Sequence, residues 1–114
     1  MHELSICQRI IDQLKQIAQA QSATAVTQVT IQLGPFSGIT SAGFHNAFPV
    51  AAAGTIASDA TLVIETLPLK ILCKDCNTKQ ETSPQQLHCQ KCNSTNIQIL
   101  NGDEIQIHGI EITS

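Results

Sequence analysis

Four cysteines fall in two pairs of identical spacing, Cys73-Lys74-Asp75-Cys76 and Cys89-Gln90-Lys91-Cys92, with twelve residues between them. Each pair puts two thiolates on one tight turn. Two such turns facing each other offer four sulfurs at the corners of a tetrahedron, the coordination zinc prefers in a structural site. Cys73, Cys76, Cys89 and Cys92 are therefore the expected zinc ligands. Paired disulfides and a dithiol redox site would use the same residues and stand as the alternatives. Neither pair lies at a strand-to-helix junction of thioredoxin type, which weighs against redox chemistry.

A second chemistry is open to the amino terminus. His2 follows Met1, and its bulk should keep Met1 from being removed. The Met1 amine, the amide nitrogen of His2 and its imidazole can close fused chelate rings on one ion. The amide nitrogen of Glu3 can complete a planar set of four nitrogens, ligation that suits Ni(II) or Cu(II) rather than zinc. On residue chemistry alone, a plain exposed histidine is the commoner outcome at such a position. Glu3 has two readings: an acid that orients His2 or balances the ion's charge, and a helix N-terminal acid favoured by the macrodipole. His45, His88 and His108 fit surface or satisfied core roles better than ligation, although His88 adjoins Cys89 and could exchange into the metal shell.

These groups need elements to hold them. Leu4, Cys7, Ile11, Leu14 and Ala18, widened by Ile10 and Ile17, recur at helical spacing, and predict an amphipathic helix from Leu4 to about Ala20 with Cys7 buried. Ala25, Thr27, Val29, Ile31 and Leu33 then alternate with Val26, Gln28, Thr30 and Gln32, a strand with one buried face. A second helix starts near Thr40 or Ser41, either of which can cap it. It presents Phe44, Ala47, Phe48 and Ala51 on one face and ends at Gly54. Pro49 should kink or break it. Thr61 to Leu67 reads as a strand. The segment from Leu69 to Ile97 belongs to the cysteine pairs, and Asn77 and Asn93, each just after a pair, suit the left-handed backbone of a knuckle. Isoleucines 97, 99, 105, 107, 110 and 112 mark strands near the C-terminus, with a change of phase at His108-Gly109 that a bulge would absorb.

The expected fold is thus α+β: two helices on a small mixed three-stranded sheet, with an inserted zinc-ribbon domain. Residues 1–68 and 103–114 form the first domain, and 69–102 the zinc domain. The 114 residues suffice for this, and an apolar fraction of 42% supplies an aliphatic core, since there are three Phe and no Trp or Tyr. A net charge of −3 and the lack of stacking aromatics argue against the competing reading, a zinc-ribbon adaptor that binds nucleic acid or a protein complex. The start has no basic segment followed by an apolar run, and no apolar stretch approaches about 18 residues, so neither a signal peptide nor a membrane span is expected. Reduced cysteines and a cytoplasmic location fit.

The chain resembles, nearly end to end, the HypA/HybF family of hydrogenase maturation factors. The matching pieces are Met1-His2-Glu3 with Ser5, Leu33-Gly34 followed by Phe36-Ser37-Gly38, Phe44 and Phe48, both cysteine pairs, and Gly102-Asp103-Glu104. It departs from the family at neutral Thr40 and Ser41, and at Pro49, where acids are frequent. The resemblance implies a non-enzymatic nickel metallochaperone, with nickel at His2 and the terminal amine and structural zinc on the four cysteines. It implies a HypB-type GTPase and a hydrogenase large-subunit precursor as partners. A homodimer is compatible with it; nucleic acid and membrane partners are not expected.

Overall fold

The structure, a computed structural model, describes residues 2–114, with side chains from Glu3 onward. In chain order the elements are α1 (His2–Ala20), β1 (Ala25–Leu33), α2 (Ser41–Ala52), β2 (Thr61–Thr66), β3 (Leu69–Cys73), β4 (Lys79–Thr82), β5 (Ile97–Ile99) and β6 (Ile105–Thr113). Two three-stranded sheets form, ordered β2-β1-β6 and β4-β3-β5. The fold is α+β, as the patterning predicts. The chain divides into two compact units, one of Met1–Gln32, Ile39–Glu65 and Gln106–Ser114, the other of Leu33–Gly38 and Thr66–Ile105. Sequence patterning draws its division at 68/69 and 102/103.

In the first unit, α1 buries Cys7, Ile10, Ile11, Leu14 and Ala18, the stripe its periodicity prescribes, while Ile17 stays at the exposed edge. The stripe packs on α2, whose Phe44 and Phe48 are buried with ring centroids 6.2 Å apart. Burying side chains such as Leu14 and Phe44 contributes about 2 kcal/mol each. Close approach of the helices depends on Gly43: a Cβ there would lie 3.1 Å from Glu3 Cγ and 2.9 Å from Thr40 Oγ1. Thr40 is the N-cap, accepting from the Gly43 amide at 2.9 Å. One of the places where the family often carries an acid thus holds the residue that starts the helix.

In the first sheet β1 is central. At its N-terminal end the Thr24 amide donates to the Thr113 carbonyl at 2.7 Å, and near its C-terminal end Gln106 Nε2 donates to Gln32 Oε1 at 2.8 Å, so β1 and β6 run antiparallel. Gln32 Nε2 donates to Glu65 Oε1 at 3.3 Å, joining the C-terminal ends of β1 and β2 and making that pair parallel. The sheet is therefore mixed, and α2 is the crossover that a parallel pair requires. Along β6 the inward positions pass from Ile105 and Ile107 to Ile110 and Ile112, the expected change of phase at Gly109. β1 departs from simple alternation: Val26 is buried and Thr27 exposed, and odd-numbered burial starts only at Val29. The exposed Thr27 hydroxyl donates to the Glu111 carbonyl at 3.1 Å, turning that side chain to the β6 edge.

Of the kink or break expected at Pro49, the break is absent. α2 runs without interruption from Ser41 to Ala52, and the Ala53 amide donates back to the Pro49 carbonyl at 3.1 Å. Pro49 removes only its own donation to the His45 carbonyl, and both residues are exposed, so water can satisfy that oxygen. The buried face, carried by Phe44, Phe48 and Ala52, holds the helix together across the proline. Gly54 follows with φ +73°. Pro49→Ala restores the helical bond, and after allowance for the looser unfolded chain it should stabilise the protein by about 2 kcal/mol, read as a higher urea midpoint.

Candidate metal centre

The second unit is built around the cysteine pairs. β3 alternates, and Leu69, Ile71 and Cys73 are buried on one face, so strand parity aims the first sulfur inward. β3 and β4 form an antiparallel hairpin with Leu72 opposite Lys79, and the first knuckle is its turn. β5 pairs on the other side of β3, with Ile97 opposite Cys73. Both knuckles close alike: the Cys73 amide donates to the Thr78 carbonyl at 2.9 Å and the Cys89 amide to the Ser94 carbonyl at 2.8 Å. Asn77 and Asn93 take φ of +58° and +61°, the left-handed backbone expected at those places.

The four sulfurs all lie within 4.8 Å of one another. Cys73 Sγ is 3.6 Å from Cys92 Sγ, and Cys76 Sγ is 3.5 Å from Cys89 Sγ. Zinc–sulfur bonds of about 2.3 Å require tetrahedral sulfur separations near 3.8 Å, so the set is the right size for one zinc ion. These separations far exceed the ~2.05 Å of a disulfide, and all five cysteines are unpaired.

Amide donors converge on the sulfurs. Cys73 Sγ accepts from the Cys76 amide at 3.4 Å. Cys89 Sγ accepts from the amides of Lys91 at 3.3 Å and Cys92 at 3.4 Å, and from Gln80 Nε2 at 3.2 Å. Burial pushes the Cys89 thiol up, but these donors, with the Cys92 amide first and Cys76 adding to them, outweigh it and hold the thiol at about 6. At Cys92 the Ser94 amide pulls downward, yet Cys73, burial, Cys89 and Cys76 together push harder and raise it to about 12. Four thiolates this close repel one another, and a divalent cation among them is what allows all four to ionise.

Residues that the motif does not reveal hold the knuckles together. Asp75 Oδ2 accepts from the Ser94 hydroxyl and its Oδ1 from Asn96 Nδ2 at 3.1 Å, while the Lys74 amide donates to the Asn96 carbonyl at 2.9 Å. The Ser94 hydroxyl, then Asn96, hold the Asp75 carboxyl below the usual range. The Thr78 hydroxyl lies 3.3 Å from Cys76 Sγ and becomes a donor once that sulfur is a thiolate. Glu104 is not the solvated loop acid that its setting suggests. Its Oε1 accepts from the Gly102 amide at 2.8 Å and its Oε2 from Asn101 Nδ2 at 2.9 Å. Its own backbone amide first, against burial, then Gly102, Asn101 and the charge of Lys70 lower its carboxyl. Beside it, a Cβ on Gly34 would collide with the Gly102 carbonyl oxygen and with Glu104 Oε1, so only glycine fits. Two separated stretches of the family pattern, Gly34 and Gly102-Asp103-Glu104, thus meet as one cluster.

The other sequence candidates are not drawn to the centre. Among the described residues the metal-ligand cluster consists of the four cysteines, without His88. His45 is exposed on α2 and His108 exposed on β6. Cys7 is buried, and burial, then the charge of Glu3, raise its thiol to about 11, as suits a small core residue. Met1 and the side chain of His2, the expected nickel ligands, lie outside the described residues.

An α+β body carrying a four-thiolate knuckle site defines a metal-binding protein. The chain matches, over residues 1–112, the family described as "Hydrogenase/urease nickel incorporation, metallochaperone, hypA". It is similar to the hydrogenase maturation factor HypA of Nitrosospira multiformis, 38% identical over 98% of this chain and 97% of that one. It is also similar to that of Aquifex aeolicus, 33% identical over 98% and 97%. Its fold is that of the Ni metallochaperone HypA from Helicobacter pylori in solution, with a TM-score of 0.70 at 24% identity, covering 98% of this chain and 97% of that one. A second HypA solution structure has a TM-score of 0.72 at 26% identity, covering 98% and 96%. The chain belongs to this family of nickel-incorporation metallochaperones, and is a maturation factor rather than an enzyme.

Replacing any one of Cys73, Cys76, Cys89 or Cys92 by Ala should cost the protein its single equivalent of bound metal and unfold Thr66–Ile105 while α1 and α2 keep their helicity. Elemental analysis and amide exchange check the two halves. Acid should release the metal as the thiolates take up protons. Asp75, with a depressed pKa, contributes fully above about pH 5 and weakens only as pH falls through about 4 and below. Asp75→Asn should move half-release, followed with a zinc-sensitive dye, to higher pH.

Proposed function

We propose that this protein carries Ni(II) to the large-subunit precursor of a nickel–iron hydrogenase, with a HypB-type GTPase assisting delivery. The observation that carries this reading is the whole-length match to a nickel-incorporation family in a chain that starts Met1-His2-Glu3 and holds a separate four-sulfur cluster. Nickel is assigned to the Met1 amine and to the amide and imidazole of His2, with the Glu3 amide as fourth nitrogen. Zinc is assigned to Cys73, Cys76, Cys89 and Cys92 as a structural ion. The unpaired thiols suit a reducing compartment such as the cytoplasm.

Local chemistry supports the division of labour. Four thiolates in closed tetrahedral array leave no open position for exchange, which suits a resident ion. The start of α1 at His2 suits a cargo ion. The first four amides of a helix have no intrahelical acceptor, so ligation through the amides of His2 and Glu3 costs no helical hydrogen bond. The positive end of the helix dipole opposes a cation there, which weakens retention and favours hand-over by ligand exchange. The Glu3 carboxylate partly offsets that field.

Three zinc-loaded proteins test the nickel assignment in isothermal titration: the native chain, His2→Ala, and a chain extended by residues before Met1. Both changes should abolish specific nickel binding and leave zinc and helicity intact. The extension is the sharper case, because it keeps the imidazole and displaces only the free amine. Undiminished nickel binding by the extended chain would place the site elsewhere.

A further inference from the structure

We propose that Gln80 is a positioning residue that sets how firmly the four-cysteine centre holds its metal. The inference rests on the reading of those cysteines as a zinc site, and concerns a residue outside the ligand set.

Gln80 lies on β4 opposite Ile71 of β3. Opposite residues of an antiparallel pair share a face, and Ile71 is on the buried face that also carries Cys73. Strand register therefore puts Gln80 on the metal side of the hairpin, at a half-buried position where an apolar side chain would serve packing better. What it does there is polar at both ends of its amide. Nε2 donates to Cys89 Sγ at 3.2 Å, and Oε1 accepts from the Gln90 backbone amide at 2.6 Å. One side chain thus fastens the hairpin of the first knuckle to the turn of the second. The Gln90 amide needs an acceptor, so Oε1 must face it and Nε2 must face the sulfur; the reversed amide would set oxygen against thiolate and N–H against N–H.

The donors to Cys89 differ in kind. Those from Lys91 and Cys92 come with the knuckle turn and exist wherever that turn forms. The one from Gln80 comes from a distant side chain, and the identity of residue 80 alone decides whether it is made. A donor on a metal-bound thiolate disperses its charge, eases repulsion among the four sulfurs, and opposes the protonation that frees a ligand. Gln80 thus acts through Cys89 and does not touch the ion.

The test uses the full zinc-loaded chain with two variants that conserve side-chain length. Gln80→Met removes both hydrogen bonds. Gln80→Glu keeps the acceptor for Gln90 and turns a carboxylate oxygen toward the sulfur. Zinc transfer to a chromogenic chelator gives the release rate, and Co(II) replacement gives the sulfur-to-cobalt charge-transfer band. Gln80→Met should release zinc about tenfold faster and Gln80→Glu faster still, each with a shifted band. Release within twofold of native in both variants would overturn the proposal. Equal acceleration in the two with an unshifted band would also overturn it, since loosened packing accounts for that result. A native chain with no sulfur-to-cobalt band would overturn the zinc reading itself, and this inference with it.

Discussion

Four sulfurs within 4.8 Å of one another cannot all carry charge unless a cation lies among them, and the second unit is arranged around that constraint. Its apolar core is small: Leu33, Leu69 and Ile71 are buried with Cys73 and Cys89, while Phe36, Leu87, Ile99 and Leu100 are exposed. The stretch between β4 and β5 has no strand of its own, so the second knuckle is placed by its sulfurs, by Asp75 and by Gln80. A bound zinc ion contributes on the order of 10 kcal/mol to such a unit, more than burial of its few aliphatic side chains supplies. Folding of this segment would then be coupled to occupancy of its site.

The first unit draws its stability from burial instead. α1 and α2 bury aliphatic and phenyl surface against each other, and the approach is close because residue 43 has no side chain. A terminus that begins in a packed helix is anchored from about Leu4 onward, yet keeps its leading amides unbonded. The two units thus draw their stability from different sources.

What the sequence made legible was whatever depends on local spacing. The α1 stripe, the cap at Thr40, the left-handed Asn77 and Asn93 and the phase change at Gly109 follow from residues a few positions apart, and the meeting of the four sulfurs follows from the repeated spacing of the two cysteine pairs. What it concealed depends on partners distant along the chain. Val26 is buried and Thr27 exposed against the expected alternation, and the Thr27 hydroxyl bonds the Glu111 carbonyl, a partner far along the chain. β3 and β4 were hidden inside the cysteine segment because four or five mixed residues carry too little periodicity to declare a strand. Gln80, Asp75 and Glu104 look like ordinary surface residues until folding brings up Cys89, Ser94 and Gly102. The continuity of α2 across Pro49 was concealed for a related reason: propensity weighs one lost hydrogen bond, and the buried phenyl face that spans the proline is tertiary.

The two ends of the metal-bearing segment are pinned side by side. The Leu33 carbonyl accepts from the Leu67 amide at 2.8 Å, and the next residue, Gly34, donates to the Glu104 carbonyl at 2.8 Å. Roughly forty residues of chain thus depart and return at adjacent peptide groups, and closing so long a loop as free coil costs on the order of 3 kcal/mol in chain entropy. Once metal has ordered the segment, that entropy has already been given up, and β6 reaches β1 as though the intervening chain were a short hairpin. Metal binding to the second unit would then act on the speed with which the mixed sheet is completed.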